Sequence, residues 1–170
     1  MSGPVEELQR IWHSTVHRWK RKRRRSRPRP SWDAVILTAA NATQAQGYEL
    51  EMQRRRQIGM IEPETRVLIV PDRAGKRIGS GGATLWAMKQ YAHEILKVNK
   101  TAGSVEELFS QRRVLLIHCG GEGRRVPSNI GTGKLFASLP FEVLPGRAAC
   151  SFDALYVLLS ECADRMKEGL

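Results

Sequence analysis

Several things are scarce in this chain, and each scarcity narrows what it can be. Only three of its 170 residues are cysteine, Cys119, Cys150 and Cys162, with no Cys-x-x-Cys spacing and no histidine cluster beside them. That argues against a disulfide framework or a structural zinc site and fits a reducing compartment, the cytoplasm. No apolar stretch nears the ~20 residues needed to span a bilayer. The N-terminus carries positive charge with no apolar h-region after it, so it does not read as a secretory signal. There is no internal repeat. Acid is missing from one stretch only: Arg18 to Pro30 holds nine basic residues and no acidic one. Outside that stretch 19 basic residues face 17 acidic ones, so the net charge of +11 is a local feature on a nearly neutral body. At this length one domain can bury a real core, and a hydrophobic content of 41% is ordinary for it.

Residues 1–30 read as a basic leader, a helix followed by a disordered segment. Val5, Leu8, Trp12, Val16 and Trp19 recur every three or four residues, an amphipathic stripe that predicts a helix from Val5 to Trp19. From Lys20 to Pro30 repelling charges and an Arg-Pro-Arg-Pro run predict extended, mobile chain. Attachment to nucleic acid or to an anionic membrane, a nuclear address, and a merely solvated leader all fit such a block. No aromatics interleave it to support RNA recognition. On this reading the leader is dispensable for folding.

Residues 31–170 alternate strand and helix. Trp32 to Thr38 reads as a first buried strand, Asn41 to Ile58 as a helix, and Val67 to Val70 as a second strand stopped by Pro71-Asp72. Gly79 to Gly82 opens a helix that keeps its apolar spacing to about Lys97. A short helix lies within Thr101–Gln111, where Ser104 and Glu107 form a capping-box pattern. A third strand at Val114–Ile117 and a last helix from Ser151 to Met166 follow. Such alternation predicts an α/β domain with a Rossmann-like parallel sheet.

The third strand organises the rest. Val114-Leu115-Leu116-Ile117 is a continuous apolar run of the kind buried on both faces of a parallel sheet. It breaks into His118-Cys119-Gly120-Gly121-Glu122-Gly123-Arg124-Arg125-Val126-Pro127 and runs on to Gly133-Lys134. Open α/β sheets bind ligands beyond the carboxyl ends of their strands. Glycines there bring backbone N–H groups close to a ligand, and Arg and Lys neutralise phosphate. Gly120, Gly121, Gly123, Arg124, Arg125 and Lys134 thus form a candidate anion cradle. It is not a Walker A loop, since Ser128 stands at the first glycine and Leu135 at the magnesium hydroxyl. Nor is it a dinucleotide fingerprint, since Val126 takes the last glycine's place.

Gly79, Ser80, Gly81 and Gly82 form a second candidate. They follow a strand and open a helix, whose unpaired N–H groups and partial positive charge attract anions or a base carbonyl; Ser80 or Thr84 can add a hydroxyl. A tight turn serving only helix–sheet packing is the plain alternative. Two such segments after two successive parallel strands are expected to lie side by side at one sheet edge, which favours a nucleotide ligand.

Gly120 to Pro127 with Lys134 resembles the signature of sugar-phosphate nucleotidyltransferases, a strand ending in Gly-Gly-x-Gly-Thr-Arg-Leu with a later Pro-Lys. It departs at Arg124, at a spacing one residue shorter before Pro127, and at Gly133. Together with Trp32-Asp33-Ala34-Val35 and Gly79-Ser80-Gly81-Gly82-Ala83-Thr84-Leu85, it resembles the guanylyltransferase-like region of L-fucokinases and bifunctional fucokinase/GDP-fucose pyrophosphorylases, from about Trp32 to Pro140. The resemblance implies an incomplete GT-A-like nucleotidyltransferase domain, with nucleoside triphosphate and sugar 1-phosphate as partners and magnesium as cofactor. It implies that Arg125 and Lys134 neutralise phosphate in transfer, while the amides of Gly121 and Gly123 hold phosphate or base. The metal ligands stay unassigned, with Glu122 and Asp72 candidates by location alone. The family's later acidic metal motif and its kinase domain have no counterpart in these residues, so a second chain completing the domain is one expectation. A non-catalytic nucleotide- or sugar-phosphate-binding module is another, and a basic-tailed RNA- or membrane-associated accessory protein a third.

Overall fold

A computed structural model of the chain describes residues 3–24, 31–73, 78–98, 104–119 and 133–163. Its centre is a three-stranded parallel sheet of β1 (Ala34–Ala39), β2 (Arg66–Pro71) and β3 (Val114–His118), in the order β2-β1-β3. All six residues of β1 are buried, as a central strand covered on both faces must be. Val35 lies opposite Val67 on one side and Leu115 on the other.

The helices divide between the two faces. On one, α2 (Ala42–Gln57) packs Ala45, Tyr48 and Met52 against Val35, Leu37, Leu115 and Ile117. On the other, α3 (Gly79–Val98) and α4 (Val105–Ser110) pack Ala87, Tyr91, Ile95 and Leu108 against Ala34, Ile36 and Val70. Alternate residues of β1 therefore serve opposite cores, the period-two consequence of the pleat. Both helix starts are built locally. Asn41 caps α2 by accepting from the Gln44 amide, and Ser104 with Glu107 closes the capping box of α4.

A second layer covers the α2 face. After the short 3₁₀ turn Lys134–Phe136 come an antiparallel pair, β4 (Ser138–Leu144) and β5 (Arg147–Cys150), and then α5 (Ser151–Ala163). The sequence reading contained no hairpin here. Its turn uses Pro145-Gly146, with Gly146 at φ +73°, and Pro140 stands where the pairing register shifts. The layer is fastened to α2 by Arg55, only 3% exposed. Its Nε donates to Asp153 Oδ1 at 2.6 Å and its Nη1 to Glu51 at 2.7 Å, while the guanidinium lies over the rings of Phe136 and Phe152. A charge this deep is tolerated because its partners surround it; removing one would leave the other uncompensated.

The N-terminal helix departs from expectation twice. It runs as α1 (Pro4–Arg24), so residues 20–24 are helical rather than extended. Its stripe is also part of the core: Trp12, Val16 and Trp19 are buried in the same cluster as β1, α2 and α5. Trp12 Nε1 donates to the Glu142 carbonyl of β4 at 2.7 Å, and Arg18 approaches Glu161 of α5. The leader is therefore not separable from the fold as far as this helix is concerned; residues 25–30 lie outside the described residues.

Candidate functional site

The chain leaves β1 through α2 to β2 on one side, then returns through α3 and α4 on the opposite face to β3 on the other side. Connections thus diverge between β1 and β3. Beyond the carboxyl ends of two such strands a crevice opens, the place where α/β sheets take their ligands. The chain leaves β1 at Thr38-Ala39-Ala40 and β3 at His118-Cys119.

The two glycine segments approach this crevice by different means. Strands β2 and β3 are not neighbours, because β1 lies between them. It is α3, crossing over β1, that brings the glycine-rich turn to the end of β3. Gly79 to Gly82 form the first turn of α3 rather than a loop before it, and they are exposed or half-buried. Gly79 has φ +73°, a left-handed conformation natural to glycine. No acidic side chain stands in this first turn, so the helix's positive end is not neutralised from within.

One turn further, Thr84 joins the two elements. Its Oγ1 lies 2.9 Å from the Ser80 carbonyl and 2.9 Å from His118 Nε2. A carbonyl can only accept, so the Thr84 hydroxyl donates to it, and its oxygen accepts from His118 Nε2–H. The ring's Nδ1 faces Thr38 Oγ1 at 3.5 Å. Thr38 Oγ1 in turn accepts the Cys119 amide at 3.2 Å. The chain of bonds runs from β3 through β1 and back to α3, holding the glycine turn over the crevice.

From below, α2 supplies Gln44 and Tyr48. Gln44 Oε1 accepts the Ala40 amide at 2.8 Å, and the Tyr48 hydroxyl donates to the Cys119 carbonyl at 3.2 Å. Burial, with Cys119 beside it, raises the Tyr48 phenol well above its ordinary pKa, so it acts as a donor. Burial likewise pushes the Cys119 thiol up to about 12, which makes it a poor nucleophile. Gly133, at φ +66°, packs against Tyr48 from the other side, and the exposed Lys134 follows it.

Of the residues singled out from the sequence, Gly79, Ser80, Gly81, Gly82 and Lys134 are placed as above. Gly120, Gly121, Glu122, Gly123, Arg124 and Arg125 lie outside the described residues; only the entrance, Cys119, and the exit, Gly133, are described. Asp72 follows β2, its amide bonded to the Ala39 carbonyl. Among the described residues no three His, Cys, Asp or Glu side chains come together so as to hold an ion. Sequence reasoning gave no role to Thr38, Gln44, Tyr48 or His118. Only the last adjoins a motif; the others sit in ordinary strand and helix and become site residues through topology. Two clefts lie elsewhere, one of about 740 Å³ between α2 and the edge of β2, another of about 480 Å³ beside Trp19 and Met60. Neither touches the crevice.

The class these elements define is an α/β domain with a Rossmann-like sheet, its site at the divergence of β1 and β3. Comparison with known proteins adds a partial match to one family. The chain is 39% identical over 122 residues to the bifunctional fucokinase/GDP-fucose pyrophosphorylase of Arabidopsis thaliana, covering 66% of this chain and 12% of that protein. It is 32% identical over 109 residues to the fucose-1-phosphate guanylyltransferase of Mus musculus, covering 64% and 17%. With the L-fucokinase/L-fucose-1-P guanylyltransferase of Bacteroides fragilis it shares 30% identity over 69 residues, 41% of this chain and 7% of that one. The chain thus carries a partial match to the fucokinase and fucose-1-phosphate guanylyltransferase family, and spans less than a fifth of the length of these relatives. No family model and no solved structure matches it.

Proposed function

We propose that this chain is the nucleotide-binding part of a fucose-1-phosphate guanylyltransferase-type domain of GT-A-like architecture, acting in the cytoplasm. Its ligand is a nucleoside triphosphate, which we take to be GTP because its relatives are named for guanylyl transfer and GDP-fucose, with a sugar 1-phosphate as acceptor. The observation that carries the reading is that the start of α3 is bound through Thr84 to His118, at the strand end from which the chain runs on to Gly120. Nucleotidyl transfer needs little covalent help from the protein. It needs the phosphates held in line and their charge stabilised, which backbone amides, Arg125 and Lys134 supply. Magnesium in such sites binds chiefly to substrate phosphates and water, with one or two carboxylates. Asp72 is the described carboxylate at the carboxyl edge of the sheet, and Glu122 lies outside the described residues. Both stay unassigned.

A second reading is a module that binds nucleotide without transferring it. Binding is common to both and is tested first. Calorimetry with GTP and magnesium should show an interaction that Arg125→Ala and Lys134→Ala each weaken by about 1.5–3 kcal/mol, the range for hydrogen bonds to charged groups. Unchanged affinity in both variants would remove the cradle.

A further inference from the structure

Among the described residues β2 forms one edge of the sheet, with β1 on its inner side. Two backbone bonds fix which way its peptides point. The Arg66 amide donates to the Asp33 carbonyl and the Asp72 amide to the Ala39 carbonyl. Parallel pairing alternates residue by residue, so Arg66, Leu68 and Val70 turn their main-chain groups toward β1. Val67 and Ile69 turn theirs outward, and Pro71 offers a carbonyl there but no N–H. Beside this edge lies the cleft of about 740 Å³, lined by Glu49, Met52, Gln53 and Arg56 of α2 and by Val67 and Ile69 among others. Val67, Leu68 and Ile69 are half-buried, the outer two packed on the α2 core and Leu68 on the α3 core. Outward N–H and C=O groups flanked by apolar side chains are a template for a further strand.

We propose that this edge is an interface between two copies of the chain, in which β2 pairs antiparallel with the second copy's β2 about a two-fold axis at Leu68. The edge is self-complementary in its backbone and in its charges. With the axis at Leu68, Val67 of each copy faces Ile69 of the other. Those are the residues whose groups point outward, so each such pair exchanges both its N–H···O bonds. Their β-branched side chains become cross-strand neighbours on the α2 face. At the ends of the pairing Pro71 faces Thr65, whose amide and carbonyl are already bonded to Glu62 and Arg56. The missing proline donor is therefore not needed. Along α2, Glu49 and Arg56 are exposed at the two ends of the cleft, with Met52 and Gln53 between them. That row is symmetric about its middle, so a two-fold axis there sets Glu49 of one copy against Arg56 of the other, twice over. A parallel arrangement would oppose Glu49 to Glu49 and Arg56 to Arg56, and is disfavoured. Nothing in this interface depends on the nucleotide site.

The test uses the full chain. Light scattering on a sizing column should show monomer passing to dimer as the loading concentration rises. Glu49→Arg and Arg56→Glu, each made alone, should weaken the dimer about tenfold or more, since each brings like charges face to face twice. The two single variants mixed in equal amounts should dimerise with each other, one row being then wholly basic and the other wholly acidic. Hydrogen exchange at the Val67 and Ile69 amides of the unaltered chain should slow as concentration rises. Exchange at Leu68, bonded to β1 in either state, should not change, and this readout needs no variant. A chain that stays monomeric throughout, single variants that dimerise as tightly as the wild type, or a mixture that fails to restore the dimer would each overturn the interface. So would exchange at Val67 and Ile69 that is indifferent to concentration.

Discussion

A buried thiol, Cys150, and a half-buried one, Cys119, set a pH limit on this fold. Burial pushes Cys119 up to about 12 and Cys150 up to about 11, from an ordinary thiol value of 9.0. For Cys150 this holds although the Arg55 guanidinium, whose Nη2 is 2.9 Å from its sulfur, pulls the other way. A group whose folded pKa is raised is held in its protonated form by the fold. Its contribution to stability is complete below pH 9, where folded and unfolded thiols alike are protonated. It is lost as the unfolded thiols ionise and the pH climbs through 11 to 12. The Tyr48 phenol, raised for the same reason, adds to the loss at the upper end. Melting temperature should therefore be flat from pH 7 to 8.5 and fall above pH 9, with a shallower fall in the Cys119→Ala/Cys150→Ala double variant. A thiol reagent at pH 8 should react promptly with Cys162 alone, the one exposed cysteine of the three. Prompt reaction of all three thiols in the folded protein would show that the site is open to solvent and that burial does not hold them protonated.

Among the elements, α1 has the largest consequence. Its indoles are buried in the core where α1 packs on α5 and β4, so truncating one should behave as a core deletion. Trp12→Ala should cost about 3–5 kcal/mol in urea unfolding, from lost burial, the cavity left behind and the orphaned Glu142 carbonyl. Deleting residues 1–30 should lower the melting temperature by far more than a surface leader would. A shift of under two degrees would restore the leader as a separate appendage.

The helix shows what the sequence could and could not disclose. The stripe was plain from its spacing, and so were β1, β2 and β3, because fully apolar runs have few other uses. What the stripe packs on was hidden. Of its partners, α5 and β4, the strand carries Pro140 and an irregular register that mask strand periodicity, and the basic run after Trp19 looks like solvated chain. Strand order was hidden too. Periodicity reports which face a residue serves, not which strand lies next to it, so the glycine segments could be named but not joined. The joining residues, Thr84 and His118, are related by 34 positions of sequence and by one crossover.

At the scale of the whole molecule the question is how much of a transferase this chain holds. On the proposed reading, two strand ends and a helix start among the described residues form the floor of a nucleotide site. Among the described residues, neither the cleft beside β2 nor the one beside Trp19 is lined by Thr84 or His118. Transfer requires the acceptor phosphate in line with the α-phosphate, and effective concentrations of that order come only from a site that encloses both reactants. The relatives that bear enzyme names are roughly six to fourteen times longer than the stretch they share with this chain, by the shares of 17% and 7%. The 170-residue chain by itself should therefore bind GTP yet release no pyrophosphate when fucose 1-phosphate and magnesium are supplied, and should not phosphorylate fucose. A coupled pyrophosphate assay decides it. Release above background that is abolished by Lys134→Ala would make this chain a complete catalyst and would place the acceptor site outside the described residues, with residues 120–132 the first place to look for it.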